Sequence, residues 1–398
     1  MSTGIFVTSN LTTDHAKKSF AGMITRLMPN GSAPLFGMTS MLQTETAVQT
    51  EHGFFTKTMI FPQMTTSASA LVGDTTLTVT STNNIVPGMI MRVNSTNEHV
   101  IVNSIVSGTS VTVTRAVGTV AAAAIGSGVD LYQVGNAYEE ASLRPSSLII
   151  NPVRVTNLTQ IFRNTWAVSD TVRATLVIAG ESNVAESRQD CAAFHAADIE
   201  KAIFFGQKSQ GVRNGQPFRT MNGLINEITV NAAGNVSTAG ATTNFTQLEG
   251  FLDKVFDQTT DPKGANERVL FTGGQGKRVF NAIGRLNGTY QLMDGQTSYG
   301  LQFSTFKTAR GTFRVIEHPL FNTNTTWAKM AVAVDLPTFR VAYLGDRKTQ
   351  NKEFNQNNVP SDNGIDAVGG TLTTEMTTCV KNPAANAVIY NLTAGALG

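Results

Sequence analysis

Residues 157–206 read NLTQIFRNTWAVSDTVRATLVIAGESNVAESRQDCAAFHAADIEKAIFFG, and this stretch joins two kinds of backbone. Up to Gly180 it is rich in Thr and Val, whose branched side chains suit an extended strand. From Glu181 to Phe205 no Gly or Pro intervenes and the pattern turns helical. Ser182 is placed to cap the helix, and Glu186 sits in its first turns, where a carboxylate complements the helix dipole. Cys191, Ala192, His195, Ile199, Ala202 and Ile203 recur on one broad apolar face, while Arg188, Asp190, Glu200 and Lys201 fall mostly elsewhere. Some 25 residues at 1.5 Å each make a rod of roughly 38 Å, long enough to brace a whole domain.

The chain around this rod has 398 residues, enough for a large core and two or three domains. Only 15% of its residues are charged, against roughly 25% in an average soluble domain. A surface rich in Thr, Asn, Gly and Ser instead suits neutral contacts with many neighbours. The formal net charge of +2 leaves no electrostatic footprint for nucleic acid, and no basic run is longer than a pair such as Lys17-Lys18 or Arg347-Lys348. Cys191 and Cys379 lie far apart and read as two separate buried thiols, which fits a reducing compartment. The N-terminus MSTGIFVTSN has no signal-peptide pattern, and no apolar run reaches the length of a membrane span. Sequons at Asn10, Asn157, Asn244 and Asn391 are coincidences of a Thr/Asn-rich chain.

Upstream of the rod, residues 1–53 carry breakers at Pro29-Asn30-Gly31, Pro34 and Gly37 and read as an arm that orders against something else. An extended run begins at Phe54–Phe61 and resumes over Tyr138–Val172. Between them, residues 68–137 alternate in short strands at Thr76–Val79, Ile90–Val93, His99–Val102 and Ser110–Val113. Turns at Gly73-Asp74, Pro87-Gly88 and Ser107-Gly108 separate these strands, so the segment reads as a small all-β module inserted in a hairpin. Tyr132 and Tyr138 are the only aromatic platforms near it.

Downstream, Asn214-Gly215-Gln216-Pro217 marks a turn, Leu224–Val230 reads as a strand and Ala232–Thr243 as a loop. Phe245–Phe256 is amphipathic through Leu248, Phe251, Leu252 and Val255. A turn at Asp261-Pro262-Lys263-Gly264 and the strand Arg268–Thr272 follow, which together suggest an αβ domain inserted mid-chain. Further strands are expected at Phe313–Ile316, Met330–Val334, Phe339–Leu344, Leu372–Thr378 and Ala387–Leu392, and a polar loop at Gln350–Gly364.

Motifs for catalysis are missing. Gly273-Gly274-Gln275-Gly276-Lys277-Arg278 sits between a strand and a helix, but Phe271 stands where a phosphate loop needs its first glycine and Arg278 where it needs Ser or Thr. The five histidines, His15, His52, His99, His195 and His318, never pair at ligand spacing, so no metal site and no cofactor are expected. There is no Gly-x-Ser-x-Gly elbow, and His195 reads as a hydrogen-bonded helix histidine rather than a base. Asp253, Asp257 and Asp261 share a helical face and read as solvated.

Asn157-Leu-Thr-Gln-Ile-Phe162, Val168-Ser169-Asp-Thr171, Gly180, Glu186, Asp198-Ile-Glu200-Lys201-Ala202 and Phe205-Gly206 resemble a family of tailed-bacteriophage major capsid proteins. In order after them come Arg219-Thr-Met-Asn-Gly223-Leu224, Gly311-Thr-Phe313-Arg-Val-Ile316, Ala333-Val-Asp335, Leu372-Thr-Thr-Glu375 and Asn386-Ala-Val-Ile-Tyr-Asn391-Leu392. The resemblance covers about two thirds of the chain. It implies an α+β protein with the Hong Kong-phage-type capsid fold, laid out as an N-terminal arm (1–53), an E-loop (54–67 and 138–172) and a β-rich insertion (68–137). A P-domain (173–223 and 300–398) would carry the spine helix 181–207, and an A-domain would span 224–299.

Under that resemblance the work is assembly rather than catalysis. Subunits would form pentamers and hexamers of an icosahedral or prolate head enclosing double-stranded DNA, in a virion assembled in the host cytoplasm. Portal and scaffolding proteins, and a possible decoration protein, are the partners it implies, without a membrane. With no scaffolding domain seen ahead of the arm, a separately encoded scaffold is expected. Phe54, Phe55, Lys57, Ile60, Phe61, Ile161, Phe162 and Trp166 are the candidate contacts between subunits, some of the apolar ones within the subunit. Lys57 lies in a loop suited to the covalent cross-link of some relatives of this fold, but no catalytic environment for it is visible, so noncovalent stabilisation is expected. A competing reading makes the chain a β-rich virion receptor-binding or adhesion protein with residues 68–137 as its head. A trimeric fibre, however, needs repetitive strand arrays, and the chain has one long helix and no fixed-period repeat.

Overall fold

The computed structural model describes residues 42–57, 61–175, 183–258, 266–287, 297–298, 301–302, 304–354 and 366–393. The chain enters through strands β1 (Gln43–Ala47) and β2 (Glu51–Thr56). Six strands follow: β3 (Gln63–Thr65), β4 (Thr76–Thr78), β5 (Met89–Val93), β6 (His99–Ser107), β7 (Ser110–Thr114) and β8 (Asp130–Asn136). Strands β9 (Val153–Leu158) and β10 (Gln160–Ser169) lead through a short helix α1 (Asp170–Ala174) to the long helix α2 (Asn183–Phe205). A hairpin of β11 (Ser209–Arg213) and β12 (Gln216–Thr220) comes next, then α3 (Leu224–Asn231), β13 (Val236–Thr238), α4 (Phe245–Leu252), β14 (Glu267–Thr272) and α5 (Gly274–Asn287). The remainder holds β15 (Thr297–Ser298), β16 (Leu301–Gln302), β17 (Ser304–Lys307), β18 (Thr312–Glu317), α6 (Thr325–Ala328), β19 (Ala331–Val334), β20 (Phe339–Leu344), β21 (Gln350–Phe354), β22 (Ala367–Val380) and β23 (Ala387–Tyr390). Among the described residues no helix is long and apolar enough to cross a membrane.

These elements form two compact units, one of residues up to Phe54 and from Thr156 onward, the other of Phe55–Val155. The first unit contains two larger sheets, besides the two-stranded pairs β11–β12 and β15–β16. In one, β1, β20, β22 and β10 lie side by side, and β21 also pairs with β22. In the other the order is β13-β23-β19-β14-β18-β17. Helix α2 lies against β10 and β22, and its buried side chains are Cys191, His195, Ala196, Ile199, Glu200, Ile203 and Phe204. Ala192 is exposed and Glu200 is fully buried, the reverse of what the apolar periodicity predicts. The reason lies opposite: Glu200 meets His318, 3.7 Å away, in a box of aromatic rings that includes Phe204 and Phe321.

Two close approaches shape the end of α2. A side chain at Gly206 would collide with the carbonyls of Ala202 and Met221, and one at Gly223 with the backbone of Gly206, so this tight crossing requires glycine on both sides. The Gly223 N–H donates to the Gly206 carbonyl across it at 2.9 Å. Residues 224–230, expected as a strand, instead form helix α3. Leu224 and Ile228, four apart, both enter the core, and Glu227 accepts from the Asn222 and Asn231 side chains. The β-branched residues that favour a strand are overridden by this packing, and Val230 points to solvent.

Three further expectations are corrected. Gln160–Ser169, expected within the E-loop, is strand β10, paired with β22 over ten residues from Gln160↔Met376 to Ser169↔Ala367. Gln350–Phe354, read as loop, pairs with β22 along Thr373–Gly369. The mid-chain αβ segment shares its sheet with later strands, since β14 lies between β18 and β19. The Ser182 cap, the turn at residues 261–264 and most of the arm at residues 1–41 lie outside the described residues.

The second unit is a six-stranded sheet of order β3-β8-β5-β6-β7-β4 around its own core of Leu77, Met91, Val100, Val111, Leu131 and neighbours. An isolated bridge between Thr66 and Val79 brings its two edges together and closes it into a small barrel. Four strands fall where the alternation predicts them. The Gly/Ala-rich run after Thr114 is held by one buried ion pair. Glu98 accepts two hydrogen bonds from the Arg115 guanidinium, both at 2.7 Å, and others from the backbone N–H of Ala116 and Ala123. Arg115 also donates to the Ala123 and Leu71 carbonyls.

Two substitutions test these anchors. Burial alone would raise the Glu98 pKa, but the Arg115 hydrogen bond, the two N–H donors and the Arg115 charge outweigh it and hold the carboxyl below its usual range. Its stabilisation is therefore complete above the unfolded carboxylate pKa and is lost as pH falls through the lower folded value. Glu98→Gln leaves Arg115 buried without its countercharge and should weaken the barrel by about 3–5 kcal/mol. Hydrogen-exchange mass spectrometry of peptides from residues 63–136 should show that loss, with protection elsewhere unchanged. In the first unit, the buried Asn157 donates from Nδ2 to the Asn222 and Thr378 carbonyls at 3.0 and 2.9 Å and accepts the Asn222 N–H at 2.7 Å. Asn157→Ala should cost roughly 2–4 kcal/mol through the buried groups it strands. Urea unfolding followed by Trp fluorescence reads this directly, because Trp166 and Trp327 both lie in this unit.

Candidate functional site

Strands β2 and β9 pair only with each other, as a two-stranded ribbon. Burial along β9 falls from Asn157 and Leu158, which are buried, to Val153 and Arg154, which are exposed. On β2 the alternation leaves Phe54 half-buried and turns Phe55 outward, 70% exposed. Phe61 is 87% exposed, Leu143 93% and Ile149 70%. A monomer gains nothing from a run of bare apolar side chains; buried against a partner, each would contribute roughly 1.5–3 kcal/mol.

The candidate contacts divide accordingly. Phe55, Lys57 and Phe61 are exposed, Phe54 is half-buried and Ile161 is 45% exposed on the outer face of β10. Ile60 lies outside the described residues. Phe162 and Trp166 are corrected: both are buried within the unit, Phe162 with Ile199 and Ile203 of α2, Trp166 with Cys191, Val368 and Leu372. The period of two explains the split, because even-numbered positions of β10 face α2 and odd-numbered ones face away.

Polar groups fasten this face. His195 Nδ1 hydrogen-bonds Asn164 Oδ1 at 2.7 Å and Nε2 meets Thr374 Oγ1 at 2.8 Å. Since Asn164 Nδ2 donates to Asp198, its Oδ1 accepts, which places the ring proton on Nδ1. Burial lowers the His195 pKa, against the opposing pull of the Asp198 charge, so the ring is a neutral linker. Glu375 is fully buried beside Arg347 at 3.1 Å and Arg219 at 3.5 Å, and accepts from Thr159.

Other exposed apolar groups escaped the sequence reading. Val212 (73% exposed) and Phe218 stand on the hairpin β11–β12, and Phe194 protrudes from α2. The hairpin had a usable signal: Asn214 and Gly215 both take positive φ, the conformation that an Asn-Gly pair favours between two short strands. Among the described residues, Glu45, His52 and Cys379 bring one potential ligand atom each within 4.8 Å of one another.

Comparison with known proteins agrees with an assembling role. The family model described as SU10 major capsid protein matches residues 7–393. A major capsid protein of Pseudomonas phage PaMx41 is 39% identical over 405 residues, covering 98% of this chain and 96% of that protein. Solved structures from Mycobacterium phage Bobi (12% identity, 95% of this chain and 96% of that one) and Mycobacterium phage Cain (11%, 99% and 100%) each superpose with a TM-score of 0.47. So does the capsid of a native GTA particle, at 11% identity over 96% of this chain and 97% of that one. With a family model spanning nearly its whole length and a relative at 39% identity end to end, the chain belongs to the SU10 major capsid protein family.

Proposed function

We propose that this chain is the shell-building subunit of a tailed-phage head, working through assembly rather than catalysis. The observation that carries the reading is the ribbon β2–β9 with its uncovered Phe55 and Val153, in a chain that matches a major capsid family over residues 7–393. Laid on the Hong Kong-type plan, residues 1–53 form the arm and residues 54–67 with 138–158 the E-loop. Strand β10, once counted with that loop, belongs to the body. Residues 68–137 are the insertion, 173–223 and 300–398 the P-domain around the spine helix, and 224–299 most of the A-domain.

Pentamers and hexamers then form with A-domains at the capsomer axes and E-loops laid over neighbouring subunits. Such contacts order a loop that has no core of its own and offset its conformational entropy. The enclosed genome is double-stranded DNA. A chain of net charge +2 has too few cations to neutralise it, so counterions do most of that work. A scaffolding protein and a portal take part in assembly in the host cytoplasm, a decoration protein can sit on the finished shell, and stabilisation is noncovalent, with Lys57 uninvolved in cross-linking.

Electron microscopy of the recombinant chain, alone and with its scaffolding protein, should show closed shells tens of nanometres wide; persistent monomers, or trimers with affinity for sugars, would favour the adhesion reading instead. Phe55→Ser and Phe61→Ser should leave thermal unfolding of the unassembled chain unchanged, since both rings are already in water. Each should raise the concentration needed for assembly about tenfold, the equivalent of roughly 1.4 kcal/mol per contact. Light scattering across a concentration series measures that threshold, and unchanged thresholds in both variants argue against the ribbon as a contact.

A further inference from the structure

We propose that Glu45, His52 and Cys379 form a binding site for zinc or a zinc-like divalent cation. The strand register builds it. Glu45 on β1 lies opposite Ala342 of β20, and Arg340, two residues earlier on β20, lies opposite Cys379 of β22. Directly paired residues share a face and so do positions two apart, so Glu45, Arg340, Ala342 and Cys379 all project to the same side of the sheet. On that side Ala342, directly opposite Glu45, is small, which leaves room for the ligands to approach beside Arg340. After the bend at residues 48–50, β2 carries His52 back to the same place.

The chemistry of the three donors is specific. A thiolate, an imidazole and a carboxylate are the set that a borderline-soft, tetrahedral ion accepts, with the fourth position left to water. Magnesium and calcium prefer all-oxygen surroundings. The carboxylate is also held in place. Lys381 Nζ at 2.6 Å and Arg340 Nη1 at 3.1 Å both bind Glu45 Oε1, while Oε2 is the oxygen that faces His52 Nε2, at 3.6 Å. One oxygen is thus anchored by an outer layer of hydrogen bonds and the other is presented to the site, as in many metal centres. Cys379 is buried, which shields it from oxidation, and it is a free thiol. On binding, the S–H bond breaks, its electron pair goes to the metal and one proton leaves to solvent. The ion would clip the turn between β1 and β2 to the far end of β22.

The test uses the full-length, reduced chain, stripped of metal with a chelator and titrated with Co²⁺. One Co²⁺ per chain should bind with a near-ultraviolet thiolate-to-cobalt charge-transfer band and release of one proton, and one equivalent of Zn²⁺ should bleach the band. Cys191→Ser should keep the band and Cys379→Ser should abolish it. His52→Ala, at a half-buried position outside the core, should fold normally and weaken Zn²⁺ binding at least about tenfold. Cobalt bound without a sulfur band, a band that survives Cys379→Ser, or unchanged affinity in His52→Ala would each overturn the site. None of these outcomes depends on whether shells assemble, so the metal site and the capsid reading fail separately.

Discussion

Strand β22 is the element on which the body depends. It is fourteen residues long and pairs with β10 along one edge and with β20 and then β21 along the other. Being covered on both faces, it would ordinarily be a run of Val and Ile. Here it carries Thr374, Glu375, Thr377 and Thr378, all buried. Each of the first two fastens a different neighbour: Thr374 holds His195 of the long helix, while Glu375 holds Thr159, Arg219 and Arg347. Thr378 joins Asn157 and Asn222. Hydrogen bonds fix position and direction in a way that apolar contact does not, so the strand acts as a jig as well as a core.

The glycine pair Gly369-Gly370 serves the same end. A side chain at Gly369 would run into the Phe354 ring and the Trp166 carbonyl, and one at Gly370 into the Trp166 indole. Bare backbone there lets two large rings from flanking strands settle on the sheet. Trp166 then meets Cys191, which seats the first half of the helix, while Phe162 and Ile203 seat the second.

How much of this could be read from the chain depended on whether the cause was local. The barrel strands were legible because alternation and turn residues are local signals, and so was the long helix, from its unbroken run. The buried face of that helix was legible only in part. Glu200 looks like a surface residue until His318 is placed opposite, more than a hundred positions later in the chain. Leu224–Asn231 misled because β-branched residues were weighed without the core that receives Leu224 and Ile228. Phe162 and Trp166 read as E-loop contacts for want of the partner strand that buries them. The cluster of Glu45, His52 and Cys379 had no sequence signature at all, since register across three strands creates it.

The small barrel has a consequence of a different kind. Its first and last strands, β3 and β8, pair directly, so the chain enters and leaves at neighbouring points. Its edges meet each other through Thr66 and Val79. A free sheet edge on a shell protein would be repeated in every copy and would invite particles to stick together. Closure removes that edge, and adjacent ends leave the host hairpin indifferent to what hangs between them. The barrel is therefore a self-contained unit, joined to the rest of the chain by two strands that already lie side by side.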